Sequence, residues 1–194
     1  MAYHSRVIAI VPLAFASGLN IYATVAVLGL CSRYGLVALP DQFRGFDHPL
    51  VIGVALTMYA VEFVADKIPW FDSAWDAVHT VIRPIGGAFI AVAAIGDASP
   101  PLRALAALLG GSVAMTSHVT KAGTRAAANT SPEPFSNWML SLGEDALAVA
   151  LSYGALTHPR IALAVALALL VAIALCASVI IRFVRRRLSR PTSS

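Results

Sequence analysis

Long apolar stretches alternate with short polar connections along the whole chain. A helix needs about 20 mostly apolar residues to cross a bilayer, and six stretches of the sequence approach that length. The pattern predicts an all-α fold, a polytopic bundle of about six transmembrane helices in a single integral membrane domain, residues 1–194. The predicted spans are 7–31, 49–65, 73–96, 102–125, 135–156 and 161–184, followed by a basic cytoplasmic tail at 185–194.

The composition supports a membrane protein over a soluble domain. The chain is 58% hydrophobic and only 12% charged, whereas a soluble domain carries about 25% charged residues. Because the charged share is half the usual value, much of the protein surface must face something other than water. We therefore expect the lipid bilayer to be the first partner of this chain.

The positive charge is concentrated after the last apolar stretch. The formal net charge is +4, and five arginines follow residue 181. A basic cluster directly after a span anchors a helix against anionic lipid, so no nucleic-acid partner is predicted. With six spans, nine Lys and Arg residues fall on one side of the membrane and four on the other. The positive-inside rule then predicts a bacterial inner-membrane protein with both termini in the cytoplasm.

Polar residues recur at helical spacing on each of the four middle spans. On the third span, for example, Asp76, His79 and Arg83 continue a stripe that begins at Asp72. Ionisable residues inside a membrane usually face the bundle interior, so the four stripes are expected to converge. With Asn20 of the first span, the candidate ion- or solute-binding residues are Asn20, Glu62, Asp66, Asp76, His79, Arg83, His118, Lys121, Arg125, Asn137, Glu144 and Asp145.

The charges of these candidates nearly cancel. Five acids face three permanent bases, and the two histidines can add up to two positive charges because histidine titrates near neutral pH. Each stripe lies toward the predicted cytoplasmic end of its helix, and the opposite halves are almost purely apolar. This asymmetry predicts a polar pocket that opens to the cytoplasm.

Glycine and proline interrupt two of the polar helices. Arg83 is followed by Pro84 and by Gly86-Gly87, and the fourth span contains Gly110-Gly111. Such residues are typical of tight helix packing or of discontinuous helices that present backbone groups to a substrate. The sequence also contains two similar segments, 68–73 and 133–137, which indicate a duplicated two-helix hairpin.

Three longer motifs carry a family resemblance. They are Ala16–Asn20, Val61–Pro69 and the run from Ser131 through Asp145. On these motifs the chain resembles an uncharacterised bacterial family of polytopic membrane proteins known only as a domain of unknown function, DUF4126. The resemblance covers about 11–158 and excludes the last span. It implies a fold and a membrane location, and it implies no activity or catalytic residues.

Transport is the function that the polar stripes favour. The substrate would be a small ion or polar solute. In one form of the hypothesis, its transport is coupled to the movement of protons. The acids would bind cations or protons, and the bases would hold the acids or meet an anion.

Two other function classes stay open. A membrane enzyme acting on a lipid headgroup would use His79 or His118 beside a carboxylate. The spacings HExxH and GxSxG and a Gly-rich phosphate loop are absent from the sequence, so no catalytic residue, metal or cofactor is predicted and an enzyme is not favoured. A structural protein would use the buried ion pairs only to fix helix packing. The small size of the chain also allows a homo-oligomer.

Overall fold

The computed structural model describes residues 3–37, 39, 41–130 and 134–188. The described residues form an all-α fold without strands, as the sequence predicts. The helices are α1 (Tyr3–Leu19), α2 (Ile21–Arg33), α3 (Pro49–Ala65), α4 (Pro69–Ile95), α5 (Pro100–Ala128), α6 (Pro134–Thr157) and α7 (Pro159–Leu188), with a short 3₁₀ helix at Asp41–Asp47 before α3. The basic tail beyond residue 188 lies outside the described residues.

Helices α3 to α7 each begin at a proline, which are Pro49, Pro69, Pro100, Pro134 and Pro159. Proline suits the first position of a helix because its fixed φ is helical and its missing N–H has no partner there. The third to sixth predicted spans start between one and four residues after these prolines. The structure therefore extends those spans without moving them.

Four helices are long and apolar enough to cross a membrane: Trp70–Ile95, Pro100–Ala128, Phe135–Thr157 and Pro159–Arg186. They correspond to the last four predicted spans. The second predicted span, 49–65, coincides with α3. Helix α3 meets the preceding 3₁₀ helix at 64°, and the bent pair together passes the same test.

The predicted first span, 7–31, is not a single helix. It divides into α1 and α2, of 17 and 13 residues, at Asn20. Asn20 has an extended backbone (φ −152°, ψ 101°), and its side chain accepts a hydrogen bond from the Ala23 amide, so it caps a new helix. Pro12 lies inside α1 without ending it.

Helices α1 and α2 form a hairpin that returns to the end of the bundle from which it entered. Arg83 of α4 contacts the carbonyl of Gly18, while Gly96, just after α4, lies against Arg6. Helix α1 therefore runs antiparallel to α4. On α6, Asp145 bonds Asn20 and a later residue, Ser152, bonds Thr24.

Helix α2 therefore runs parallel to α6. Since α4 and α6 are separated by the single antiparallel helix α5, they share a direction, and α1 and α2 must oppose each other. Gln42, in the 3₁₀ helix that follows α2, confirms this because it lies against the same Gly96 as Arg6. The pair has the form of a re-entrant hairpin whose tip, Gly18–Asn20, lies deep inside the protein.

Helix α1 is the centre of the bundle and packs against α4, α5, α6 and α7. Near its start it belongs to an apolar cluster made largely of alanines, leucines and isoleucines, in which Leu13 and Leu28 are fully buried. We call this the apolar end. It also contains the ends of α4 and α6 and the beginnings of α5 and α7.

Close helix contact explains the paired glycines. A Cβ at Gly110 would lie 2.4 Å from the Cβ of Ala91, and one at Gly87 would lie 2.4 Å from the Cβ of Ala114. Helices α4 and α5 are both continuous through these positions. The break in the bundle is at Asn20 instead. The predicted hairpin duplication stays a prediction, and part of its second segment, residue 133, lies outside the described residues.

Candidate functional site

The structure places all twelve candidate residues inside the bundle. Hydrogen bonds and ion pairs join nine of them into one set, whereas His79 bonds Tyr22 and the Trp75 carbonyl, and Asn20 and Asp145 bond each other. Eleven of them are buried, and the Glu144 side chain is only 11% exposed. We call the twelve, together with Asp72, the charged network. Their convergence follows from helical spacing, because residues three or four positions apart share one face of a helix. Their functional role stays a prediction.

Glu62 of α3 lies at the centre of the charged network. One of its oxygens, Oε1, accepts from Arg83 Nη2 at 2.6 Å and from Lys121 Nζ at 2.9 Å. All three side chains are fully buried. A buried carboxylate that receives two cationic donors is strongly held, so this trio ties α3 to α4 and α5.

A second layer lies nearer the α3–α4 and α5–α6 connections. Arg125 donates from Nη2 to Asp66 Oδ2 at 2.8 Å and from Nε to Asp72 Oδ1 at 2.9 Å. Glu144 approaches both Lys121, at 3.6 Å, and Arg125, at 3.9 Å. Asp72 is missing from the sequence-derived candidates, although it lies one turn before Asp76 on the same stripe. That spacing is the signal that identifies it.

Asparagine side chains extend this layer toward the connections. Asn129 Nδ2 donates to Asp72 Oδ2 at 3.0 Å, and Asn137 bonds Asn129. Outside the spans, burial lowers the pKa of Lys67. Its ammonium donates to the Phe63 carbonyl at 2.7 Å and lies 3.0 Å from the centre of the Phe63 ring.

The hydrogen bond from Arg83 requires the His118 ring to be neutral. Arg83 can only donate, so His118 Nδ1 accepts from it at 2.9 Å, and the other ring nitrogen faces the Thr80 hydroxyl at 3.0 Å. His79 donates from Nδ1 to the Trp75 carbonyl at 2.8 Å, and its Nε2 lies 3.0 Å from the Tyr22 hydroxyl. His118 therefore adds no positive charge in this arrangement, and His79 adds none when its Nε2 accepts from Tyr22.

The charged network has more acids than bases. Its six carboxylates are Glu62, Asp66, Asp72, Asp76, Glu144 and Asp145, and its three cations are Arg83, Lys121 and Arg125. Six negative charges against three positive charges leave a surplus of three when both histidines are neutral. Since an uncompensated charge is costly in a low dielectric, we expect the surplus acids to hold protons or bound cations.

Several buried polar atoms of the charged network lack a hydrogen-bond partner. They are one carboxylate oxygen each of Glu62, Asp66, Asp76 and Glu144, the amide oxygen of Asn137 and the Nε of Arg83. Buried polar groups in native proteins are nearly always paired, and exceptions point to water, an ion or a function. Five of these six atoms are acceptors, which are the atoms that a proton or a cation would satisfy.

The tip of the hairpin turns its backbone toward the charged network. The Gly18 and Leu19 carbonyls, at the end of α1, accept from Arg83 Nη1 at 3.0 Å and from Lys121 Nζ at 3.1 Å. Cations suit this position because the last carbonyls of a helix carry partial negative charge. On the other side of the break, Asn20 Nδ2 donates to Asp145 Oδ1 at 2.9 Å.

The predicted pocket open to one side needs correction. Glu62, Arg83 and Lys121 are fully buried, so the inner level of the charged network is closed in this structure. Close ion pairs and tight glycine contacts fill the space in which the sequence pattern predicts an open pocket. Within the described ranges, no group of three or more His, Cys, Asp or Glu residues is arranged to hold a metal ion.

Comparison with known proteins gives one match. The model of the family described as "Domain of unknown function (DUF4126)" matches residues 7–178, from within α1 to within α7. The match therefore extends into the last helix, which the resemblance read from the sequence excludes. No curated protein and no solved structure matches the chain.

Proposed function

Because the chain belongs to the family described as "Domain of unknown function (DUF4126)", which carries no activity to transfer, we propose its function from the charged network itself. We propose a small membrane transporter or channel-like protein that binds a small ion or polar solute in this network. Protons or cations are the expected ions, because acids outnumber bases there.

The surplus of three buried carboxylates is the observation that carries this proposal. Ion pairs alone do not account for acids that outnumber the bases. Surplus acids can hold protons or cations, and buried oxygens of Glu62, Asp66, Asp76 and Glu144 that lack a hydrogen-bond partner can receive them. Intramembrane acids of this kind mark ion pathways and proton relays in many membrane proteins.

The broken first helix supports the same proposal. Transporters commonly bind substrates and coupling ions where helices are interrupted near the middle of the bilayer, because the helix ends offer unpaired backbone groups. Here the break lies between Leu19 and Ile21, and both sides of it contact charged side chains.

The hairpin changes the membrane topology that we propose. Arg182, Arg185 and Arg186 near the end of α7 favour a cytoplasmic location, in a bacterial inner membrane, for the end of the bundle that holds the charged network. The start of α1 lies at the opposite, apolar end. We therefore infer five crossings, α3 to α7, with the termini on opposite sides. This replaces six spans with both termini in the cytoplasm.

A structural role is the second candidate, and the close pairing of Glu62 with Arg83 and Lys121 favours it. Such a trio fixes the register of three helices. It does not explain why acids outnumber bases, and hydrophobic residues of similar size often replace buried ion pairs without loss of stability.

Flux through proteoliposomes tests the proposal. The purified full-length protein is reconstituted, an ion gradient is imposed, and internal pH and Na⁺ or K⁺ are followed with dyes. Glu62→Gln and Glu144→Gln each remove one ionisable group with little change of shape, so we expect both to abolish flux. Asp41→Asn is the matched control, because Asp41 is an exposed carboxylate outside the charged network.

The outcomes separate the two candidates. Flux lost in both Gln variants and retained in the control supports a conducting or transporting network. Wild-type flux in both Gln variants would remove these residues from the mechanism. If the folded wild-type protein moves neither protons nor alkali cations, the structural role is the better account.

A further inference from the structure

Asp145 differs from the other five acids of the charged network. Among the described residues, each of the other five forms at least one ion pair with Arg83, Lys121 or Arg125, and Asp145 forms none. Its two oxygens accept from neutral groups, Asn20 Nδ2 at 2.9 Å and the Tyr59 hydroxyl at 3.3 Å. Asp145 is therefore the acid of the charged network that most clearly lacks a positive partner.

Asp145 lies at the floor of a groove between α3 and α6. The groove has a volume of about 540 Å³, within the range of about 300–1,000 Å³ that small-molecule sites occupy. Its lining is otherwise mainly apolar: Tyr59, Leu142, Ala146, Val149, Ala150 and Tyr153. Asp145 itself is only 5% exposed, whereas Leu142 and Tyr153 are about half exposed.

The groove is accessible from the side of the bundle. Its exposed residues occupy one face of α6, which is a membrane-crossing helix by length and composition. A ligand dissolved in the bilayer could thus reach Asp145 laterally, without passing through the closed trio around Glu62. An inorganic ion would lose its hydration on an apolar surface of this kind, which is unfavourable.

A buried carboxylate below an apolar, partly aromatic surface suits one class of ligand. A positive centre would pair with Asp145, and apolar substituents would cover Leu142 and Val149. The rings of Tyr59 and Tyr153 flank the site, and aromatic faces attract organic cations. Anions would be repelled by the same carboxylate.

We propose that Asp145 and this groove bind an organic cation with an apolar body, of the ammonium or phosphonium type. The inference rests on the proposed function and deepens it, because the bound cation is the substrate that the charged network exchanges for protons. Asn20 connects the site to the hairpin tip, so occupancy of the groove is sensed at the break between α1 and α2.

Direct binding of tetraphenylphosphonium tests the inference. The full chain is placed in lipid nanodiscs and titrated by calorimetry, with empty nanodiscs to subtract partitioning into lipid. We expect saturable binding to the wild-type protein. Asp145→Asn keeps the shape of the side chain and removes its charge, so its affinity should fall by about tenfold or more. Asp145→Glu should retain binding.

A second variant tests the groove independently of the charge. Ala150→Phe fills the groove without altering Asp145, and it should also abolish binding. Ala168→Phe, at an exposed alanine of α7 outside the groove, is its matched control and should bind as the wild type does. Binding that persists in both Asp145→Asn and Ala150→Phe would overturn the site.

The failure of this inference can be distinguished from failure of the proposed function. If the wild-type protein conducts protons but does not bind tetraphenylphosphonium, the groove proposal is wrong and the proton-binding network stands. If no ion of any kind crosses the wild-type proteoliposomes, the proposed function fails whatever the calorimetry shows.

Discussion

The hairpin of α1 and α2 joins two regions that are built in opposite ways. At the apolar end, Leu13 and Leu28 are fully buried among alanines and aliphatic side chains. At the tip, within the same two helices, Gly18 and Asn20 are surrounded by charged and polar groups. The two regions share helices, burial and close packing, and they differ almost completely in chemistry.

The difference shows that helix packing and stability are enough to explain the composition of only one of the two regions, the apolar end. An apolar core needs no further reason in a membrane protein, because close packing of small and aliphatic residues holds helices together. The charged network is expensive by comparison, since its six acids and three bases must be removed from water. We therefore propose that the charged network at the tip of the broken helix performs a task that the apolar end cannot perform.

Breaking the central trio should have the largest effect. Arg83→Met leaves Glu62 with one cation in place of two and leaves the Gly18 carbonyl without its donor, so we expect a loss of about 3–5 kcal/mol in the free energy of unfolding. Denaturant titration in detergent micelles measures it. Adding Glu62→Gln should recover part of the loss. Unchanged stability of Arg83→Met would mean that the trio does not form.

The hairpin tip should be nearly as sensitive to added volume. A Cβ at Gly18 would lie 1.9 Å from Ser117 Oγ and 2.2 Å from the Ala114 carbonyl oxygen. Gly18→Ala must push α1 and α5 apart, at a cost of up to about 3 kcal/mol. Gly123→Ala is the control, because nothing lies within 4 Å of its added Cβ. Equal melting temperatures for the two variants would contradict this packing.

At the apolar end, we expect a substantial loss of stability with no change in ion movement. Leu13→Ala opens a cavity in a fully buried position and should cost about 2 kcal/mol, the low end of the range for soluble cores, because lipid is also apolar. Leu108→Ala, at a 69% exposed position, should be close to neutral. A change of ion selectivity in folded Leu13→Ala would mean that the apolar end takes part in the function.

The smallest effect should come from the cap between the two helices. Asn20→Ala removes the bond to the Ala23 amide and the bond to Asp145, and should cost about 1 kcal/mol. Asn20→Ser keeps a capping oxygen and loses the reach to Asp145, so it should be less destabilised. If both substitutions leave the unfolding midpoint unchanged, Asn20 does not determine the position of the break.

Helical periodicity was sufficient to identify the charged network from the sequence. Asp76, His79 and Arg83 share a face of one helix because of their spacing alone, and a membrane leaves such a face only the interior of the bundle. Asp72 follows from the same rule one turn earlier. Tyr22 and Thr80, which bond the two histidines, could not be selected this way, because single hydroxyls in apolar helices are common.

The hairpin could not be predicted because hydropathy does not show whether the chain reverses its direction within an apolar stretch. Residues 7–31 are apolar throughout, and a continuous apolar run reads as one crossing whether the chain continues or turns back. The local signal was the sequence Ser17-Gly18-Leu19-Asn20, where glycine permits close packing and asparagine is a strong helix cap. The prediction of both termini on one side depends on counting residues 7–31 as one crossing.

Infrared spectroscopy of the protonated carboxyl groups tests the central claim most directly. The protein in lipid is compared between acidic and alkaline buffer, with parallel spectra of Glu144→Gln and Asp145→Asn. A surplus of three acids predicts carboxyl groups that remain protonated and dry in the absence of a bound cation, and bands that these substitutions remove. If every carboxyl group is ionised and no cation copurifies with the protein, the acids are compensated in some other way and the proposed exchange of protons or cations is wrong.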